Sequence, residues 1–570
     1  MTPQAEDRVP VLIVGGSLVG LSSSVFLGRL GVRHVLVEKH PGTSIHPRGR
    51  GNNLRTMELF RTAGAEPLIR RAASVLADNH GILQADSLTS DNAEWLFREI
   101  DPGGRLSGIS PSGWCLCSQN DLEPVLLDYA RGLGGDLRFS TELVSFTQDD
   151  DGVTCELMDR ETGERSTVRT DYLIAADGPR SPVRGALGIG HSGRGDLFAN
   201  ISATFRAKRL ADAVGDRYFI ACYLTNPDAD GVLLPVDNQE NWVFHAPWHP
   251  ERGEAIEDFT DQRLAAHIRT AVGVPDLEIE ITGRAPWRAA ERVADSYGRG
   301  RVLMAGDSCH EMSPTGAFGS NTGIQDAHNL AWKLAAVTGG WAGPGLLETY
   351  EAERRPVAVA TSERASARSA EHAHPGYAPP AGGGPQKGVL VVALGYRYPE
   401  GAFLGADPGR PVVPEDFRPV AEPGGRSPHV WVTTRDGERR STLDLYERSM
   451  VLLTGDGPKG TAWHDAARAV AERLGVPLEA YRLGESTQAD LVPEAGTDWT
   501  AVHGMTPSGA ILVRPDGFVA WRSRDAVEDP AATLDEVLTA STSCHRAVRT
   551  PLRSLAGHSR AGCRPKPGSK

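Results

Sequence analysis

The sequence has no Cys-x-x-Cys pair. Its seven cysteines, Cys115, Cys117, Cys155, Cys222, Cys309, Cys544 and Cys563, are scattered. That spacing argues against a disulfide frame or a cysteine metal knuckle, so the thiols read as reduced and structural. Cys115 and Cys117 have the period of one strand face, which is a packing pattern. A basic excess is also missing. The net charge of -13 excludes a general nucleic-acid binder, because phosphate backbones select for basic surfaces. No apolar run approaches the roughly 18 to 20 residues needed to cross a bilayer, and residues 1–10 lack the basic start and apolar core of a signal peptide. A cytoplasmic protein with no membrane partner is expected. At 570 residues, two or three domains are expected.

The N-terminal stretch is rich in local signals. Val9 to Val14 is a β-branched apolar run ending on glycines, Leu18 to Leu30 has helical spacing, and Val35 to Val37 is a second buried run. This is the β-turn-α-β unit of a parallel sheet. In the turn Gly15-Gly16-Ser17-Leu18-Val19-Gly20, Gly15 permits the tight bend and Gly20 lets helix and strand pack closely. Ser17 stands where a second glycine lets the backbone approach a pyrophosphate. Serine is small enough for that approach, and its hydroxyl is a candidate donor to a phosphate oxygen beside the positive helix terminus. Glu38 ends the second strand, where an acid accepts from both ribose hydroxyls and repels a 2'-phosphate; the turn suits FAD or NAD and disfavours NADP.

Further along, a helix is expected over 121–133, then antiparallel strands broken at Asp149-Asp150-Asp151-Gly152. Residues 198–284 are strand-rich, with a helix near 262–272. A buried strand, Arg301 to Ala305, runs into Gly306-Asp307, where a carboxylate at the sheet edge can bind ribityl hydroxyls. Helices follow from about Gly323 to Val337 and from Gly345 to Arg368, the latter interrupted or kinked at Pro356. Amides near Asn321 to Gly323 are placed to stabilise negative charge on a reduced flavin. Ala176-Asp177-Gly178 is a third strand ending in Asp-Gly. Two glycine-rich turns beyond the first favour FAD over NAD.

These segments, with Asp177-Gly178-x-x-Ser181-x-Val183-Arg184 and Asn321-x-Gly323-Ile324-Gln325-Asp326-Ala327-x-Asn329-Leu330-Ala331-Trp332-Lys333-Leu334, resemble the single-component FAD-dependent aromatic hydroxylases, and among them the aromatic polyketide hydroxylases. Ser118-Gln119-Asn120-Asp121-Leu122-Glu123 and Tyr350-Glu351-Ala352-Glu353-Arg354-Arg355-Pro356 add to the likeness. It runs from about Val11 to Leu538. It implies an α/β fold: a Rossmann-like FAD-binding domain interleaved with a β-sheet substrate domain, and a C-terminal thioredoxin-like domain. The expected boundaries are FAD-binding 1–75, 111–197 and 291–372; a substrate-domain excursion 76–110 and the middle domain 198–290; a linker 373–404; the third domain 405–540; and a basic disordered tail 541–570. With no cysteine between Cys309 and Cys544, thiol exchange by the third domain is excluded.

The resemblance implies a monooxygenase. NADPH or NADH docks transiently over the flavin, because no second fingerprint stands between residues 150 and 300. Dioxygen then forms a flavin C4a-hydroperoxide that hydroxylates a polycyclic aromatic polyketide. The expected cofactor contacts are Gly15, Ser17, Leu18, Gly20, Glu38, Lys39, Arg48, Gln119, Asp177, Asp307, Pro314, Gly319, Asn321 and Thr322. Tyr223 and Arg397 are the catalytic candidates, as groups that help form a phenolate. His310 is expected as a turn residue near the flavin edge, and His46 as a shaper of the loop carrying Arg48. A monomer or homodimer is expected. A Baeyer-Villiger oxygenase and a non-catalytic flavin or polyketide binder remain open, whereas the Trp-x-Trp segment of flavin halogenases is missing.

Overall fold

In the computed structural model, residues 8–371 and 388–543 are described. The first part of the expected linker, 373–387, and most of the basic tail lie outside them. The first sheet has five parallel strands in the order Val302–Met304, Arg165–Ala175, Arg8–Val14, His34–Val37 and Asp136–Arg138. Val11, Leu12, Ile13, Leu36, Leu173 and Ile174 are fully buried, as befits a sheet covered on both faces. Helices Leu18–Arg29 and Phe318–Thr338 pack against each other beside it. An antiparallel excursion, Thr141–Asp149 and Gly152–Asp159, returns into the long strand Arg165–Ala175.

A second sheet stands apart from the first. Its order is His310–Glu311, Glu280–Ala294, His191–Arg206, Asn241–Trp248, Gly231–Pro235, Phe219–Leu224, Gly81–Ala85 and Glu94–Phe97. The strand Gly81–Ala85 pairs parallel with Phe219–Leu224, so the 81–97 segment joins this sheet from far away in sequence. One face is apolar: Leu83, Ile201, Ala203, Cys222, Leu233 and Phe244 pack with Leu264, Ile268 and Ala271 of helix Asp261–Val272. The opposite face is left for the FAD-binding side.

The C-terminal domain is an α/β unit of thioredoxin-like form, with a seven-stranded sheet in which the interior strand Met450–Gly455 runs parallel to Leu478–Leu483 and antiparallel to Ala510–Val513. Helices Pro458–Leu474 and Pro530–Ser543 cover it through Trp463, Val470, Leu534 and Leu538.

Two helix expectations need correction. The helix expected from Gly323 starts at Phe318, and Thr349–Glu371 runs through Pro356 without a break. Proline removes one backbone donor, but Glu353 and Arg354 just before it are fully buried in ion pairs, and this tertiary anchoring outweighs the local penalty.

Candidate functional site

The first strand ends where the chain must turn sharply. Gly15 has φ +107°, and a Cβ there would stand 2.2 Å from the carbonyl oxygen of Ala176; a Cβ on Gly20 would stand 1.8 Å from the carbonyl oxygen of Gly15. Only glycine allows this approach of turn, helix start and neighbouring strand. Glu38 reaches beneath the turn: its Oε2 accepts from the Gly16 N–H at 2.7 Å and its Oε1 from the His40 N–H at 2.9 Å. Leu18 is buried under the helix start, and Lys39 is exposed beside Glu38.

The Ser17 hydroxyl differs from expectation. It donates to Glu123 Oε1 at 2.5 Å and accepts from Gln119 Nε2 at 2.9 Å, so its proton is held by a carboxylate instead of being offered to a phosphate. Glu123 is fully buried, and its Oε2 accepts from the Ser44 N–H at 2.7 Å. Gln119 Nε2 also donates to Glu123 Oε1, at 2.6 Å. A carboxylate only accepts, so the Gln119 amide must turn its NH2 inward, leaving its oxygen as the end that faces Gly49. The missed signal was the acid four residues after Gln119, one helical turn on.

The strand Val302–Met304 places Gly306-Asp307 next to this turn. Gly306 has φ +68°, and a Cβ there would stand 2.6 Å from Val19; a Cβ on Gly323 would stand 2.9 Å from the Gly306 Cα. Asp307 is solvent-accessible, yet it lies deep enough among protein atoms for desolvation to raise its carboxyl, while His310 and Arg48 pull it down. That combination describes a wall of a narrow cleft, not a closed core. Arg48 is exposed on the same side, and its carbonyl accepts from the Gln119 N–H.

Asp177 closes the other side of the turn. Its Oδ2 accepts from the Val183 N–H at 3.1 Å, its Oδ1 is buried with no hydrogen-bond partner, and burial raises its carboxyl against the pull of Ser181. Arg184 ties this loop to the second one by donating to the Ser308 carbonyl at 2.8 Å. Four glycine-permitted approaches, an orphaned carboxylate oxygen and an accessible Asp307 are the features a bound FAD would fill.

Asn321 and Thr322 are committed to the fold. Asn321 Oδ1 accepts from the Asn53 N–H at 2.9 Å and its Nδ2 donates to the Gly51 carbonyl at 2.7 Å; Thr322 donates to the Phe318 carbonyl at 2.9 Å. The amides without a helical partner are those of Phe318 to Ser320, three residues before the place expected from sequence. Gly319 is part of this first turn, and Pro314 is exposed in the loop leading to it.

Below the site, His310 and Arg354 share Asp326: His310 Nε2 lies 2.8 Å from Oδ2, and Arg354 Nε 2.6 Å from Oδ1, all three side chains fully buried. Burial would raise Asp326, but Arg354 and His310 outweigh it and hold it below its ordinary range. His310 is thus a buried support of the Gly306 turn. His46 donates or accepts at Ser202 Oγ, 2.9 Å away, and so pins its loop to the second sheet.

Of the two catalytic candidates, Tyr223 faces the site. It lies on the face of the second sheet opposite the helix-covered core, with Ala221, Val232, Ile82 and Leu234. Burial raises its phenol to about 12, against the opposing charge of Arg368 and the pull of nearby Thr315. Arg368, on the helix Thr349–Glu371, was missed because nothing in the local sequence marks it; only the helix packing brings it to Tyr223. Arg397 has a different set of neighbours. Its Nη2 donates to the Asp407 carbonyl at 3.2 Å, its Nη1 is buried without a hydrogen-bond partner, and its charged neighbours are Arg410, Glu422 and Asp407.

Among the described residues no group of histidine, cysteine and acidic side chains could hold a metal ion, and no helix is long and apolar enough to cross a membrane.

The fold and this three-segment site define a FAD-binding aromatic-ring hydroxylase. The FAD binding domain family matches residues 8–365, and the family described as aromatic-ring hydroxylase, C-terminal, matches residues 421–542; the chain belongs to these FAD-dependent hydroxylases. Among its relatives, a Streptomyces halstedii protein named "Putative polyketide hydroxylase" is 69% identical over 537 residues, covering 93% of this chain and 97% of the relative. The tetracenomycin A2 monooxygenase-dioxygenase of Streptomyces glaucescens is 41% identical, covering 93% of this chain and 96% of that enzyme. The crystal structure of aklavinone-11 hydroxylase with FAD and aklavinone is similar at a TM-score of 0.85 and 37% identity, covering 95% of this chain and all of that one.

Proposed function

We propose that this protein hydroxylates a polycyclic aromatic polyketide, consuming dioxygen and NADPH or NADH: one oxygen atom enters the ring, the other leaves as water, and the nicotinamide supplies two electrons. The observation that carries the reading is Tyr223, on the face of the second sheet opposite its helix-packed core and near Thr315 in the loop that opens helix Phe318–Thr338. A polyketide substrate is supported by the names of the relatives.

In this reading the amides of the Gly15 to Gly20 turn bind the pyrophosphate, Glu38 takes the ribose hydroxyls, and Arg48, Gln119, Asp177 and Asp307 hold the rest of the dinucleotide. Gln119 offers its oxygen, which suits a hydroxyl donor better than a phosphate. The loop from Pro314 to Gly319 and the first-turn amides of helix Phe318–Thr338 would flank the ring system. FAD supplies the reductive activation of dioxygen. The protein excludes water and orients the acceptor ring. With a phenol raised to about 12, Tyr223 stays protonated at neutral pH and acts as a donor; Arg368 supplies the positive charge that favours a phenolate in the substrate. A single nucleotide turn leaves the nicotinamide to dock transiently.

The test is incubation of the purified holoenzyme with polycyclic phenols, NAD(P)H and isotopic dioxygen. A product heavier by one labelled oxygen with its rings intact supports the reading. NAD(P)H consumption without label in any product, or a lactone, counts against it.

A further inference from the structure

The segment from His46 to Arg50 lies between the two domains. At one end His46 Nε2 stands 2.9 Å from Ser202 Oγ on strand His191–Arg206; at the other, Arg50 Nη1 donates to the Pro235 carbonyl at the end of strand Gly231–Pro235. Strand Asn241–Trp248 runs between those two, so the segment crosses three strands of the second sheet. Ser202 and Val232 both pair with His245 and therefore share a side, the one where Val232 and Leu234 lie opposite the helix-packed core. Between its ends the segment approaches the cofactor turn and a helix start: a Cβ on Gly49 would meet Leu18 at 3.7 Å and Ser320 at 3.9 Å.

Arg50 carries a charge that the fold does not neutralise. It is 7% exposed, its Nη2 is buried with no hydrogen-bond partner, and its Nη1 bonds to a neutral carbonyl. The acid that acts on it is Asp121, whose carboxylate is taken by Ser118 and Asn120. His46 is pushed down by burial and by Arg48 and Arg50, so it stays neutral at pH 7. Burial brings the Arg50 guanidinium down to about 10, which still leaves it protonated. Taking a cation out of water with no anion beside it costs stability, and such a cost is kept where function opposes stability.

The two Nη atoms share one rigid plane, so the bond from Nη1 to Pro235 also fixes Nη2 at the end of the strand that carries Val232 and Leu234. We propose that Arg50 is a specificity residue for an anionic oxygen on the polycyclic substrate, a carboxylate or an ionised hydroxyl, seated against that face of the second sheet. The substrate then supplies the counter-charge that the fold withholds. In a cleft closed to water the attraction is far stronger than in bulk, so the charge selects anionic polycycles over their neutral esters and ethers. This is a binding role, separate from the donor role given to Tyr223, and it rests on the hydroxylase reading above.

The experiment uses the holoenzyme and two variants. Arg50→Gln keeps a donor for the Pro235 carbonyl but carries no charge, and Arg50→Lys restores the charge. The probes are a polycyclic hydroxyquinone carboxylic acid with its methyl ester, and a polycyclic hydroxyquinone whose hydroxyl ionises below neutral pH with its methyl ether. Dissociation constants are read from the flavin absorbance, beside flavin content and thermal unfolding. The parent should bind an anion about tenfold tighter than its neutral partner, and the pair that shows the preference identifies the anion. Arg50→Gln should bind both members of that pair within about twofold and unfold no earlier than the parent, while Arg50→Lys keeps most of the preference. A parent that binds both members of each pair equally overturns the inference before any variant is made. So does Arg50→Gln with the parent's preference, whether or not it has lost flavin or stability, and so does Arg50→Lys with none. Anionic polycycles that bind with this preference but are never hydroxylated count against the hydroxylase reading alone; failure of any polycycle to bind overturns both.

Discussion

Arg514 grips Glu353 with both arms, Nη1 to Oε1 and Nη2 to Oε2, each at 2.7 Å, and neither side chain is exposed. The contact joins the C-terminal domain to helix Thr349–Glu371. Lys333, on the helix that begins at the flavin site, lies 2.8 Å from the same carboxylate, and Asn329 donates to it at 2.8 Å. The C-terminal domain thus holds the far end of the helix whose first turn faces the cofactor cleft.

Breaking this contact from one side leaves a buried charge uncompensated. Glu353→Gln should lower unfolding stability by about 3 to 5 kcal/mol, the range for removing one partner of a buried pair. Chemical denaturation of the holoenzyme measures it, and a loss under about 1 kcal/mol would place the domain's anchorage elsewhere.

The same cluster predicts the response to acid. Burial would raise Glu353, but Arg514 and Lys333 outweigh it and hold it far below its ordinary value of 4.5; Glu58, beside Arg426 and Arg55, is also held low. Groups with depressed folded values bind fewer protons in the folded than in the unfolded state. Their stabilisation is full above the unfolded value and is lost as pH falls from about 4.5 toward the folded values. Thermal unfolding between pH 7 and 3 should show a steep fall below about 4.5, shallower in Glu353→Gln.

Tyr223→Phe should reduce product formation by about 10²-fold, the lower end for loss of a positioned proton donor, while FAD stays bound. Because the phenol is raised to about 12, the parent's pH–rate profile should carry no inflection from Tyr223 below pH 10. Steady-state rates from pH 6 to 10 check both points.

Arg397 gives the opposite expectation. Its neighbours are Asp407, Arg410 and Glu422, so Arg397→Ala should leave product formation within about twofold, and its effect should appear in thermal stability instead. A hundredfold loss of turnover at unchanged stability would return Arg397 to the active site.

At the phosphate turn, Gly20→Ala forces a Cβ to within 1.8 Å of the Gly15 carbonyl oxygen. The backbone must open where FAD binds, so the variant is expected to purify largely without flavin. Flavin content by absorbance decides it, and stoichiometric FAD would contradict the geometry.

The sequence by itself determined what local chemistry dictates. The turn from Gly15 to Gly20, Glu38 at the end of the next strand, and the strands ending in Asp177-Gly178 and Gly306-Asp307 are legible because each is a short run whose backbone needs are written in its own residues. What those runs do not contain is each side chain's partner. Only the tertiary structure gave the Ser17 hydroxyl to Glu123, spent Asn321 on Gly51 and Asn53, and tied Arg397 to the Asp407 carbonyl. Arg368 meets Tyr223, and Trp287 donates to His245, through pairs more than 40 residues apart. Such meetings depend on strand register and helix packing, and a register shift of one residue would send every side chain of a strand to the other face.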